Sequence, residues 1–180
     1  NYDHAQTLGE ALFQEAERSG FGLTAVNIIY NVADQLILAG MFKEAETKLK
    51  DVYEFVKSGS KWSTAWGMDF YRAAYHERLA TCQRRLKRFK AARNSLSKFK
   101  QEAEKRAKAS GSDGTEIRHR TELQYEFGMG LLEQALANHK GAKAHFDKAQ
   151  AKATAKVGGK LRDTHNAWLA HISNASNALR

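Results

Sequence analysis

The sequence predicts an all-α protein of about eight helices, and three observations carry that prediction. Apolar residues recur every three or four positions, as in Ile29, Val32, Ala33, Leu36 and Ile37, then Phe42, Ala45, Leu49 and Val52. That is the period of helices with one buried stripe. No run alternates apolar and polar residues between turn signals, as a half-buried strand would. Proline is absent from all 180 residues, and glycine gathers at "SGFG", "KSGSKW", "SGSDGT" and "VGGK", so those clusters are the breaks.

The elements follow in order. A helix near 3–18 has Ala5, Leu8, Leu12 and Ala16 as its expected buried stripe and ends at the first glycine cluster. Helices near 23–39 and 42–57 carry the two apolar series above, on either side of Gly40. Near 62–87, Trp62, Trp66, Phe70 and Tyr71 or Tyr75 recur at three- and four-residue steps, the spacing of a packing stripe. If part of that stripe is exposed, Trp62 beside the glycine loop is the expected place. Helices near 89–109 and 115–137 follow, and in the second "GMG" at 128–130 lies mid-helix, where small residues mark close packing. The last two lie near 140–156 and 160–179. Short connections imply antiparallel neighbours, hence hairpins at about 23–58, 62–109 and 115–157 within a single domain 1–180.

The three hairpins repeat one pattern. Ala45, Ala92 and Ala142 are equivalent; four residues later come Leu49, Leu96 and Phe146, and three further Val52, Phe99 and Ala149. Twelve residues upstream sit Ala33, Ala80 and Gly130, preceded by Val32, Leu79 and Met129. A small residue on each of two helices, at a fixed distance from a tight turn, lets the backbones approach while larger neighbours fill the groove. The pattern resembles the tetratricopeptide repeat. The first hairpin matches through Ile29, Val32, Ala33, Leu36, Gly40, Phe42, Ala45, Leu49 and Val52. The second has His76 and Gln83 at two usual apolar places, and the third has Glu126, Glu133 and His139. The closing proline is missing, and the marker alanines stand 47 and 50 residues apart, against about 34 in the family. A long-helix relative of the repeat is therefore expected. The resemblance implies a right-handed superhelix of hairpins, with the flanking helices 3–18 and 160–179 as halves of further hairpins. On that reading, with Asn1 in place of Met, the chain is expected to be a piece of a longer protein.

Composition excludes other classes. With 42% hydrophobic and 27% charged residues, the chain can bury a core and is neither disordered nor fibrous by composition. No stretch suits a membrane span, and residues 1–20 lack a signal pattern, so the expected compartment is the cytoplasm. Cys82 stands alone, which excludes an internal disulfide or a multi-thiolate zinc site, and its helical setting predicts a small buried residue. The seven histidines form no H-x-x-x-H pair, and neither GxxxxGK[ST] nor GxGxxG occurs. No spacing sets a nucleophile beside a base. No enzyme, cofactor or metal site is expected.

The formal charge of +9 is concentrated at "RRLKRFKAAR", "KFKQEAEKRAKA", "IRHR" and "KAQAKATAK". A basic solenoid of this kind can follow a phosphate backbone, so RNA or DNA binding is the second functional expectation. The first comes from the resemblance, which implies a concave groove lined by the first helix of each hairpin. Carried over residue by residue, the groove places are Asn27, Tyr30 and Asp34, then Glu77, Thr81, Arg84 and Arg85, then Gln124, Phe127 and Gln134. Tyr30 and Asp34 depart from the Lys and Asn clamp with which some family members hold a C-terminal carboxylate, so a chaperone-tail receptor is disfavoured. Arg84 and Arg85 suit an acidic partner. The chain thus reads as a non-catalytic module binding a protein, a peptide or a small ligand. Its resemblance to bacterial regulators implies a sensing or scaffolding part fused to a DNA-binding or nucleotide-cyclase effector. Its edge helices are the expected place for pairing with a second copy.

Overall fold

The computed structural model describes residues 2–18, 22–58, 65–155 and 164–179. Among them it contains eight α-helices and no strand: α1 (Tyr2–Arg18), α2 (Gly22–Leu38), α3 (Phe42–Ser58), α4 (Ala65–Arg85), α5 (Phe89–Ala109), α6 (Gly114–Ala135), α7 (His139–Thr154) and α8 (Thr164–Asn177). A single 3-10 turn, Gly111–Asp113, links α5 to α6. The all-α expectation holds, with ends within about three residues of those read from periodicity. The expected helix starts at 62 and 160, and Trp62 itself, lie outside the described residues.

Each helix packs on the next in sequence, and beyond that α2 touches α4 and α4 touches α6. The same turn makes all three hairpins. Gly40, Lys87 and Ala137 adopt left-handed φ values of 79°, 59° and 58°. The amide of each donates to the carbonyl three residues back, in Ile37, Arg84 and Gln134, while the next amide, of Met41, Arg88 or Asn138, reaches Leu36, Gln83 or Glu133. This is the Schellman closure, which satisfies the last carbonyls of the first helix. It recurs at the 47- and 50-residue spacing of the marker alanines, so the repeat seen in sequence is a repeat of backbone geometry.

The markers do what small residues are expected to do. Ala45, Ala92 and Ala142 are buried, as are Ala33, Ala80 and Gly130 opposite them. A Cβ on Gly130 would stand 2.4 Å from the Phe146 ring, and one on Gly128 2.8 Å from Leu96. "GMG" is therefore a packing surface for two partners. Leu36, Leu49 and Val52 fill the first hairpin, and Leu96, Phe99 and Phe146 fill the later ones. Cys82 is buried as expected, and burial pushes its thiol up to about 12.

Two expectations need correction. In α1, Leu8 and Leu12 are half exposed, and the buried residues are Gly9 and Ala16, with Phe13 packed against the first core. A Cβ at Gly9 would meet Val32 at 2.4 Å, so α1 turns its glycine to α2 for closest approach and rotates the leucines outward. Of the proposed stripe, Ala5 lies outside the residues whose side chains are described. In α4, Tyr75 is buried but Phe70 is 45% exposed. The exposed end of the aromatic series within the described residues is therefore Phe70.

Candidate functional site

The first helices of the three hairpins, α2, α4 and α6, meet through polar and aromatic contacts, and α6 meets α8 in the same way. From α2 to α4, Asn27 Nδ2 donates to the Tyr71 hydroxyl at 3.0 Å, and the Tyr30 hydroxyl donates to the Tyr71 carbonyl at 2.6 Å. The Arg78 guanidinium forks onto Asp34 at 2.8 and 2.6 Å while lying 4.8 Å above the Tyr30 ring. From α4 to α6, Gln124 Nε2 donates to Glu77 at 3.3 Å. From α6 to α8, Phe127 sits edge-on to Trp168 at 5.4 Å, and Gln134 reaches the Ala175 carbonyl at 3.4 Å.

Seven of the ten groove residues read from sequence therefore join α2 to α4, α4 to α6 or α6 to α8. Tyr30 is buried, and burial raises its phenol far above the ordinary value, so its ring is packing. Phe127 is partly buried against Phe146 and Trp168. Asn27, Asp34, Glu77, Gln124 and Gln134 keep partial or full exposure. The remaining three do not join these helices. Thr81 bonds back to the Glu77 carbonyl. Arg85 lies 5.1 Å over the Phe42 ring at the start of α3, which turns it toward the second helix of the first hairpin. Arg84 is partly buried, and burial, then the neighbouring charge of Arg85, lowers its guanidinium pKa.

A cavity of about 410 Å³ opens where α4, α5, the 3-10 turn and α6 converge. Two groove residues, Glu77 and Gln124, line it beside Arg78, Arg106 and Arg120. Its volume falls within the roughly 300–1,000 Å³ typical of small-molecule sites. Ala73, Ala74, Phe99 and Ala103 form a buried apolar floor, and Phe70 stands at the rim with the Arg106 guanidinium 4.8 Å above its ring. Burial pushes the Glu77 carboxyl above the usual range, against the pull of Arg78 and Arg120 and with the charge of Asp34 adding to the rise. A carboxyl with a raised pKa beside three guanidinium groups makes the cavity a place for hydrogen bonding and ion pairing.

Sequence reasoning did not single out Arg106, Arg120 or Phe70 as site residues. Both arginines lie in basic runs it had marked, but their aim depends on how α5 and α6 rotate about the 3-10 turn. Among the described residues no group of three His, Cys, Asp or Glu side chains could hold a metal ion, and no helix is long and apolar enough to cross a membrane.

Compared with family models, curated proteins and solved structures, the chain matches none.

Proposed function

We propose that this chain is a tetratricopeptide-like, non-catalytic binding module whose α2–α4–α6 face receives a peptide, a protein or a small ligand. It would serve as the sensing or scaffolding part of a larger bacterial signalling or transcription-regulatory protein. The observation that carries the reading is the direct contact among the first helices of successive hairpins. If the hairpins coil as a superhelix, the helices that touch across repeats form its inner wall. That wall keeps polar groups, including the exposed Asn27 and the partly exposed Gln124, and borders a cavity of ligand size. The polar contacts across it give a ligand a lever: a group inserted between α4 and α6 alters the angle between two hairpins, and so the curvature passed to an attached domain.

A screen of short peptides and small molecules against the isotope-labelled chain, read by amide chemical shifts, tests this. Perturbations should cluster on α2, α4 and α6. Perturbations confined to the outer faces of α5 and α7 would contradict the proposal.

One observation favours a second reading. Lys87 in the turn before α5, with Lys90 and Lys98 on α5, are all exposed and take part in none of the ion pairs among the described residues. A phosphate backbone laid on that face would release counterions, so its affinity would fall steeply between about 50 and 200 mM salt. Fluorescence titration with single-stranded RNA and DNA at those two salt concentrations separates the readings, because groove recognition predicts little change.

A further inference from the structure

Arg106 enters the cavity from α5 and Arg120 from α6. Neither forms an ion pair among the described residues, whereas Arg78 beside them is held by Asp34. Arg106 lies over the half-exposed Phe70 ring. Arg120 faces Glu77, whose carboxyl already accepts from Gln124. Both guanidinium groups line the cavity and neither is held in a salt bridge among the described residues, and the planar fork matches a carboxylate in two parallel hydrogen bonds.

The rest of the lining narrows the ligand. Glu77, Asp113 and Glu116 line the same cavity, and Arg78 is already held by Asp34, so the lining opposes a dianion or polyanion. The floor is apolar, and three of its four residues are alanines from both α4 and α5, so missing side-chain volume is what leaves the space. The half-exposed Phe70 ring, with Arg106 over one of its faces, adds aromatic surface at the rim against which a second ring can pack.

We propose that the cavity binds a small monoanionic carboxylic acid with an aromatic body, its carboxylate held between Arg106 and Arg120 and its ring against Phe70 and the alanine floor. The assignment rests on the reading of the α2–α4–α6 face as the binding wall and names the ligand of its cavity. A peptide ending in phenylalanine presents the same two groups, so the test includes one.

Calorimetric titration of the whole chain with 3-phenylpropionate, N-acetylphenylalanine, N-acetylphenylalaninamide, phenyl phosphate and a phenylalanine-ended heptapeptide decides the matter. The two free acids should bind, and the amide should bind at least about tenfold more weakly, because it offers no charge to the forks. Arg120→Gln should weaken the acids by about tenfold or more, with Arg120→Lys between it and the parent. Phe70→Ala should weaken phenylpropionate while circular dichroism shows the helices intact. Equal binding of acid and amide, tighter binding of phenyl phosphate, or an unchanged affinity in Arg120→Gln would overturn the proposal. So would a heptapeptide that binds more tightly than N-acetylphenylalanine. If no acid binds while the wider screen still perturbs α2, α4 and α6, the ligand class fails and the wall stands; if nothing perturbs that face, both fail.

Discussion

The first and third hairpins share a backbone turn, yet they fill equivalent positions with opposite chemistry. Where α2 presents Ile29 and Leu36, both buried, α6 presents Glu126 and Glu133. In the first hairpin the turn is clasped by Leu36 and Met41, an apolar pair at the places where a Schellman closure usually has one. In the third the same two places are Glu133 and Asn138, and Asn138 Nδ2 donates to Glu133 at 2.7 Å. Glu133 also accepts from Arg93 of the preceding hairpin, and Glu126 contacts His145 at 2.6 Å. The second hairpin is intermediate, with Gln83 accepting from Ser95 at 2.8 Å. The turn and the small marker residues are therefore common to all three hairpins, while the large positions accept polar side chains that find partners. His76 breaks that rule inside the core: it is buried, and its Nδ1 has no partner.

The largest expected effect lies in the apolar hairpin. Leu36→Ala should cost about 2–5 kcal/mol in urea unfolding, as deletions of fully buried leucine do. The loss should be the same at pH 7 and pH 5, because no titrating group is involved.

His76 comes next. Burial, then the charge of Lys98 and against the opposing charge of Glu102, pushes its imidazole down to about 4. Tyr53 and Tyr75 pack around the ring. The unfolded chain holds its proton up to about pH 6.5 and the folded chain only below about 4, so the unfolded state binds more protons between those values. Stability must therefore drop as pH is lowered from about 6.5 to about 4, by about 3 kcal/mol at most. His76→Leu should flatten this limb of the stability curve, and parallel limbs in the two proteins would contradict the account.

In the polar hairpin, Arg93→Ala should cost about 1–3 kcal/mol, because Glu133 stays buried with one charged donor gone. Arg93→Ala with Glu133→Leu should recover most of that loss, turning the third hairpin toward the chemistry of the first. Burial raises the Glu133 carboxyl, but hydrogen bonds from Arg93 and Asn138, with the charges of Arg93 and His145, outweigh it and leave its pKa below the ordinary range. Its contribution is thus present above the unfolded carboxylate pKa and lost as pH falls toward the folded one. The double variant should lack that loss.

The smallest effect is in the turns. Ala137 carries a left-handed φ that Gly40 adopts without strain, so Ala137→Gly should stabilise by about 0.5–1 kcal/mol, measured by thermal unfolding. A loss would mean that the turn is held by contacts other than its backbone closure.

Much of this was legible in the sequence for a physical reason. Helical period, glycine clusters and the spacing of Ala45, Ala92 and Ala142 report on backbone and packing, which are local or repeat along the chain. The polar intrusions at His76, Gln83, Glu126 and Glu133 were visible as departures, but their partners were not. Ser95, His145 and Arg93 are brought to them only by the way helices pair. The same holds for the site. Asn27, Glu77 and Gln124 were placed by repeat register, whereas the burial of Tyr30 follows from Tyr71, a residue on a different hairpin. Nothing in "EKRAKA" or "IRHR" distinguishes Arg106 and Arg120 from neighbouring cations, because that depends on the rotation of two helices about the turn at Gly111–Asp113.

The proposed function requires hairpins that meet in sequence through their first helices and leave an open wall. Nuclear Overhauser contacts between aromatic side chains test it most directly. The account predicts cross-peaks between Tyr30 and Tyr71, whose ring centres lie 6.1 Å apart, and between Phe127 and Trp168 at 5.4 Å, with none joining α2 to α8. Cross-peaks between the α2 and α8 side chains would close the wall into a bundle and contradict it.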